Sequence, residues 1–221
     1  MSETRERILE RLRRACDGLP PPPTVATDSA SVARPPADAA ALVRAIRARL
    51  EAVRGEVHEA PESSWPALVL RLARERGVHR LLYGPRAALA AALEAEARGS
   101  ESPQLVKYAN SVEAWKEELF SGVDAAVTSA AGGIAETGSL ILWPGAAEPR
   151  LMSLVPPIHF AVVSAATLYP TLADALRAQD WATRMPTNPL LISGPSKSAD
   201  IEQTLTYGVH GPRSLIVIVT A

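Results

Sequence analysis

Apolar positions recur along this chain in two rhythms. In residues 37–53, ADAAALVRAIRARLEAV, the residues Leu42, Ile46 and Leu50 stand four apart and form one stripe of a helix. The same spacing predicts helices from about Trp65 to Arg76 with Ser64 as N-cap, over AALAAALEAEA, and over 110–120 behind an Asn-x-x-Glu capping arrangement. TLADALRAQ opens on a Thr171-x-x-Asp174 capping box, and SADIEQTLTYG reads as a further helix closed by Gly208. Between these lie short runs that predict strands: Gly55–His58, HRLLYG, QLVKY and VDAAVTSA, then SLILW, HFAVVS, PLLIS and SLIVIVT. Most of the later runs do not alternate, as parallel strands covered on both faces do not. Strand alternating with helix predicts an α/β fold, a Rossmann-like, mostly parallel sheet with flanking helices. Ligands in such sheets bind outside the carboxyl ends of the strands, so the loops there are where chemistry is expected.

The first 36 residues differ. Residues 4–16 form a short helix with Ile8, Leu12 and Cys16 on one stripe and five arginines elsewhere. The proline-rich stretch 17–36 follows, extended backbone that serves as linker or surface strap. The helix has little core of its own and is open to docking on the main body or on another chain. The domains are therefore 1–36, helix and linker, and 37–221, the α/β body.

Composition narrows the function classes. A chain of 221 residues with 47% apolar side chains is enough for one continuous core. The net charge of −1 gives no general attraction for nucleic acid or anionic membranes. One cysteine, Cys16, excludes an intramolecular disulfide and any cysteine-only iron–sulfur or metal site held by this chain alone; it reads as a packed small hydrophobe. The start lacks the apolar core of a secretory signal, and no run reaches the ~18 apolar residues of a membrane span, so a cytoplasmic protein is expected.

Three loops concentrate glycine with polar and charged groups. In SAAGGIAETGS, 129–139, Gly132, Gly133 and Gly138 permit positive φ or close approach to a ligand, with Thr137 beside them. Glu136 between them is a candidate nucleophile, general base or ligand acceptor, against the plainer role of a turn carboxylate facing water. In SGPSKSADIE, 193–202, the break at Gly194 precedes a helix expected near Ser198. Its free amides, with Ser196, Lys197 and Ser198, form a candidate anion site, unless Asp200 and Glu202 merely answer the helix dipole. In YGVHGPRS, 207–214, Gly208 and Gly211 bracket His210, a candidate proton exchanger or a structural hydrogen-bonder. Arg150 is a possible anion partner or a surface ion-pair member, and His159 reads as a satisfied buried histidine. No G-x-G-x-x-G, P-loop, G-x-S-x-G or H-E-x-x-H occurs, and no metal site follows from four scattered histidines.

In order, GIAETGSLIL, RLMSLVPPIHFAVV, ISGPSKSADIE and GVHGPRSLIVIV resemble the LUD domain, closest to its lactate-utilisation protein C branch. The resemblance is specific over 120–221 and looser from about 37. It implies a fold like the sugar-isomerase and CoA-transferase group (NagB/RpiA/CoA transferase-like). It also implies a place in a three-protein system that oxidises L-lactate to pyruvate. Iron–sulfur clusters are expected on the partner proteins and no cofactor on this chain. A pocket of Glu136, Lys197, Ser198 and His210 would then take a small carboxylate, another anion or a partner segment. A more distant likeness is to the catalytic-glutamate turn of CoA transferases. It leaves open an independent acyl- or CoA-transferase-like, or ATP-using ligase-like, enzyme with Glu136 as nucleophile, although the residues flanking Glu136 differ. A third role is regulation or assembly through the basic N-terminal helix.

Overall fold

The computed structural model describes residues 3–17, 38–98, 102–109, 112–184, 186–199 and 205–221. It divides into two units, Met1–Pro36 and Ala37–Ala221. In the first, α1 (Glu3–Cys16) forms as its spacing predicts, but Ile8 and Leu12 are each 56% exposed. Cys16 is exposed as well, not packed. All but Asp17 of the expected strap, 17–36, lies outside the described residues.

The second unit opens with α2 (Ala39–Glu51), β1 (Glu56–Ala60), α3 (Trp65–Glu75), β2 (Arg80–Tyr83), α4 (Ala90–Ala97), β3 (Gln104–Lys107) and α5 (Val112–Ser121). It continues through β4 (Ala125–Ser129), β5 (Gly132–Ile134), β6 (Ser139–Leu142), a 3-10 turn at Arg150–Ser153, β7 (Ile158–Ser164) and β8 (Leu168–Tyr169). After α6 (Leu172–Ala178) and α7 (Trp181–Arg184) come β9 (Leu190–Ile192), β10 (Lys197–Ala199), β11 (Leu205–Tyr207) and β12 (Ser214–Thr220).

Six strands form one parallel sheet in the order β1-β12-β7-β4-β2-β3. The unbroken apolar run of β12 follows from cover on both faces. Ile216 and Ile218 join the layer of α3 and α4, while Leu215, Val217 and Val219 join that of α2. Leu42, Val43, Ile46 and Leu50 of α2 all point into this second layer.

Two assignments need correction, one of strands and one of a helix. SLILW and PLLIS (β6 and β9) do not enter the parallel sheet. They pair antiparallel in a separate four-stranded sheet, β8-β5-β6-β9. The cause is the tight turn at 135–138, where Gly138 (φ +67) donates its amide to Ile134 O at 2.9 Å and reverses the chain. Secondly, SADIEQTLTYG is not a helix across its described residues. Lys197–Ala199 and Leu205–Tyr207 pair antiparallel, favoured by the β-prone Thr206 and Tyr207. Gly208 (φ +77) is therefore a turn residue after β11, not a helix cap.

The caps also divide. Thr171 and Asp174 form the predicted capping box. Ser64 occupies the N-cap position of α3, yet its hydroxyl donates to Pro61 O, and Pro66 in the first turn offers it no N–H. The capping residue Asn110 lies outside the described residues, and α5 is interrupted at Trp115 (φ −146, ψ 25).

Candidate functional site

The Glu136 segment is the hairpin between β5 and β6. Ala135 and Glu136 donate their amides to Tyr169 O (2.8 Å) and Pro170 O (3.0 Å), which ties the turn to the end of β8. Both Glu136 and Thr137 are exposed. Two of the glycines here, Gly133 and Gly138, accommodate α2. A Cβ on Gly133 would lie 2.7 Å from Ile46 Cδ1, and one on Gly138 2.4 Å from Arg49 Cβ. Their missing side chains thus let the hairpin lie on the helix, where the sequence had pointed to close approach of a ligand. Gly194 (φ +147) does the same against Val53, 2.7 Å from its Cγ2.

The loops do touch in sequence. Thr137 Oγ1 and Ser139 Oγ are 2.7 Å apart, and Ser139 Oγ lies 2.7 Å from Ser193 Oγ, so three hydroxyls join the first loop to the second. The amide of Ser196 donates to Pro212 O at 2.8 Å, and that of Gly208 to Ser196 O at 3.0 Å, which joins the second to the third. Lys197, exposed, and Ser198 sit on β10 opposite Tyr207 and Thr206. Lys197–Ala199 is a strand, so the helix start expected near Ser198 does not form among the described residues.

Nor do the loops share one edge of the sheet. His210 precedes β12, whose first residue pairs with the first residue of β7; the amides of Arg213 and Ser214 both donate to Pro157 O. That is the amino end of the strands. There His210, exposed, lines an open groove of about 540 Å³ with Phe120, Leu154, Val155, Pro157 and Arg213.

The carboxyl end holds a different group. From β2 the chain passes to β3 on one side, and from β4 to β7 on the other, so the crevice between the carboxyl ends of β2 and β4 is the switch point of the topology. The segment 143–150 packs into it. Gly84, just after β2, is indispensable: a Cβ there would lie 2.1 Å from Ala147 O. Arg86 Nη2 donates to Ala146 O at 2.7 Å. Glu148 is gripped by Ser129 at the end of β4, through its amide (2.8 Å to Oε1) and its hydroxyl to Oε2. Burial pushes the Glu148 carboxyl above its ordinary range, and the two Ser129 hydrogen bonds oppose that shift.

Beneath this group, Thr128 and His159 are fully buried, with Thr128 Oγ1 and His159 Nε2 2.9 Å apart. Burial holds the imidazole down to about 4, hence neutral at physiological pH, and its Nδ1 has no partner among the described residues. His159 is the buried histidine that the sequence suggests, but only half satisfied. Arg150, exposed, lies beside Glu148 and has no ion pair among the described residues. In the sequence, Arg150 and His159 stand out singly, whereas Ser129 and Glu148 do not. The available signal was the Thr128-Ser129 pair ending an apolar strand at its carboxyl side.

Among the described residues no cluster of His, Cys, Asp and Glu could hold a metal ion, and no helix is long and apolar enough to cross a membrane.

A family model described as the LUD domain matches residues 43–220, most of the chain. The protein belongs to the LUD domain family. This LUD domain is 36% identical over 172 residues to an uncharacterized protein of Neisseria meningitidis, 77% of this chain and 73% of that one. It is 37% identical over 107 residues to Lactate utilization protein C of Halalkalibacterium halodurans, 46% of each chain. To Lactate utilization protein C of Macrococcus caseolyticus it is 35% identical over 130 residues, 56% of this chain and 49% of the other. The alignments thus span about half the length of those lactate-utilisation relatives. A crystal structure of a duf162 family protein from Deinococcus radiodurans matches with a TM-score of 0.61 at 22% identity, over 84% of this chain and 100% of that chain. At that identity the likeness shows the fold, a mostly parallel α/β sheet with flanking helices.

Proposed function

We propose that this LUD domain is a component of a lactate-utilisation system that oxidises L-lactate to pyruvate together with iron–sulfur partner proteins. The observation that carries this is its identity of 35–37% to relatives named Lactate utilization protein C. Converting lactate to pyruvate releases two electrons and two protons. Thiolate-held clusters need several cysteines, and this chain has one. The electrons therefore pass to clusters on other chains, with this chain supplying binding and orientation in a cytoplasmic assembly.

The transferase or ligase alternative has no structural observation in its favour. Glu136 stands exposed in a hairpin turn, and two of the nearby glycines, Gly133 and Gly138, pack against α2. The proposal is tested by deleting the gene in a strain without another lactate oxidase. Growth on L-lactate should be lost and restored by the intact gene; undiminished growth of the deletion strain contradicts the proposal.

A further inference from the structure

The cavity at the carboxyl end of β4 is lined by Thr128, Ser129, Trp143, Glu148, Arg150 and Ser153, together with the prolines of segment 143–150. Its position at the switch point is where open α/β sheets admit ligands. Its volume of about 10 Å³ is room for no more than about one water. The space that a ligand would need is taken by the chain's own Glu148.

The way Glu148 is held defines what fits. Ser129 presents an amide N–H and a hydroxyl, one to each carboxylate oxygen. Two convergent neutral donors form a receptor for a planar carboxylate, and charge-assisted hydrogen bonds are the strong ones. Two further donor-bearing side chains, Trp143 and Arg150, line the same cavity. Trp143 Nε1 is buried without a hydrogen-bond partner, and the Arg150 guanidinium has no ion pair among the described residues. An unmade buried donor is costly, so a ligand oxygen that reaches Trp143 Nε1 gains more than a surface contact would.

We infer that this cavity is a binding site for a small monocarboxylate, which takes the place of the Glu148 side chain on Ser129. The Trp143 indole and Arg150 supply the remaining donors, suited to a second oxygen next to the carboxylate. Glu148 moves out to solvent when the ligand enters. Its carboxyl is disfavoured by burial where it now sits, so regained hydration offsets part of the loss of its Ser129 bonds. The carboxylate class rests on the geometry alone. Naming L-lactate or pyruvate as the occupant rests on the lactate-utilisation proposal.

The test titrates the full chain with L-lactate, pyruvate, acetate and inorganic phosphate. The indole N–H resonance of Trp143 reports the site by NMR, and calorimetry gives affinity. The carboxylates should shift that resonance and phosphate should not. Ser129→Ala should weaken binding roughly tenfold or more, the loss of one hydrogen bond to a charged group. Glu148→Ala, which vacates the receptor, should tighten it. Arg150→Gln, a surface change that leaves folding intact, should weaken it severalfold, which keeps the test decisive if Ser129→Ala unfolds. An unmoved indole at millimolar carboxylate, phosphate binding as tightly as acetate, or weaker binding by Glu148→Ala each overturns the inference. No carboxylate binding in a protein whose deletion abolishes growth on L-lactate sinks the site alone. Carboxylate binding without a growth phenotype sinks only the lactate proposal.

Discussion

Thr128 Oγ1 and His159 Nε2 stand 2.9 Å apart on neighbouring central strands, one strand-end below the Ser129–Glu148 contact. This pair sets a pH dependence. Unfolded, His159 takes up its proton near the ordinary 6.5; folded, it resists protonation down to about 4. Between these values the unfolded chain binds more protons, so stability is fully present above about 6.5 and falls as pH drops toward 4. The loss is on the order of 3 kcal/mol for a shift of this size. Urea midpoints across this range should fall for the wild type and flatten in His159→Gln. An unchanged slope in the variant sinks the assignment. Glu148, raised by burial, works in the opposite sense: its contribution declines as pH rises above its ordinary 4.5.

The β5–β6 turn is fixed by packing. Gly138 has φ +67 and no room for a Cβ against Arg49. Gly138→Ala should cost about 1–3 kcal/mol, from strain and overpacking together. Thermal unfolding checks it, and an unaltered midpoint would show that the turn is free of α2.

Ile46 anchors the same helix. It is fully buried among α2, the second sheet and β7, and its Cδ1 is the atom nearest a would-be Gly133 Cβ. Ile46→Ala should destabilise by about 2–5 kcal/mol. Combining it with Gly133→Ala should cost less than the sum of the two, because the cavity left by one accepts the methyl of the other. Strict additivity by chemical denaturation contradicts the contact.

Much of the parallel sheet was legible because its cause is local. Unbroken runs such as SLIVIVT and amphipathic stretches such as ADAAALVRAIRARLEAV report cover on two faces or on one. The second sheet was not legible. SLILW and PLLIS have the same composition as the parallel strands, and only the turn geometry at Gly138 directs them elsewhere. The 198–208 stretch failed differently: a plausible capping pattern yielded to pairing between Lys197–Ala199 and Leu205–Tyr207. At the carboxyl edge, the Ser129–Glu148 contact joins residues 19 apart through a loop of irregular backbone. Spacing carries no trace of such a contact, whereas strand order locates it at once. The glycines around Glu136 were conspicuous in sequence for a reason that only the neighbouring helix reveals.

L-Lactate-dependent dye reduction tests the central claim most directly, in extracts of a deletion strain supplemented with the purified chain. The account predicts that reduction is lost in the deletion extract and restored by adding this protein to the partners that remain. Full activity in the unsupplemented deletion extract would contradict it.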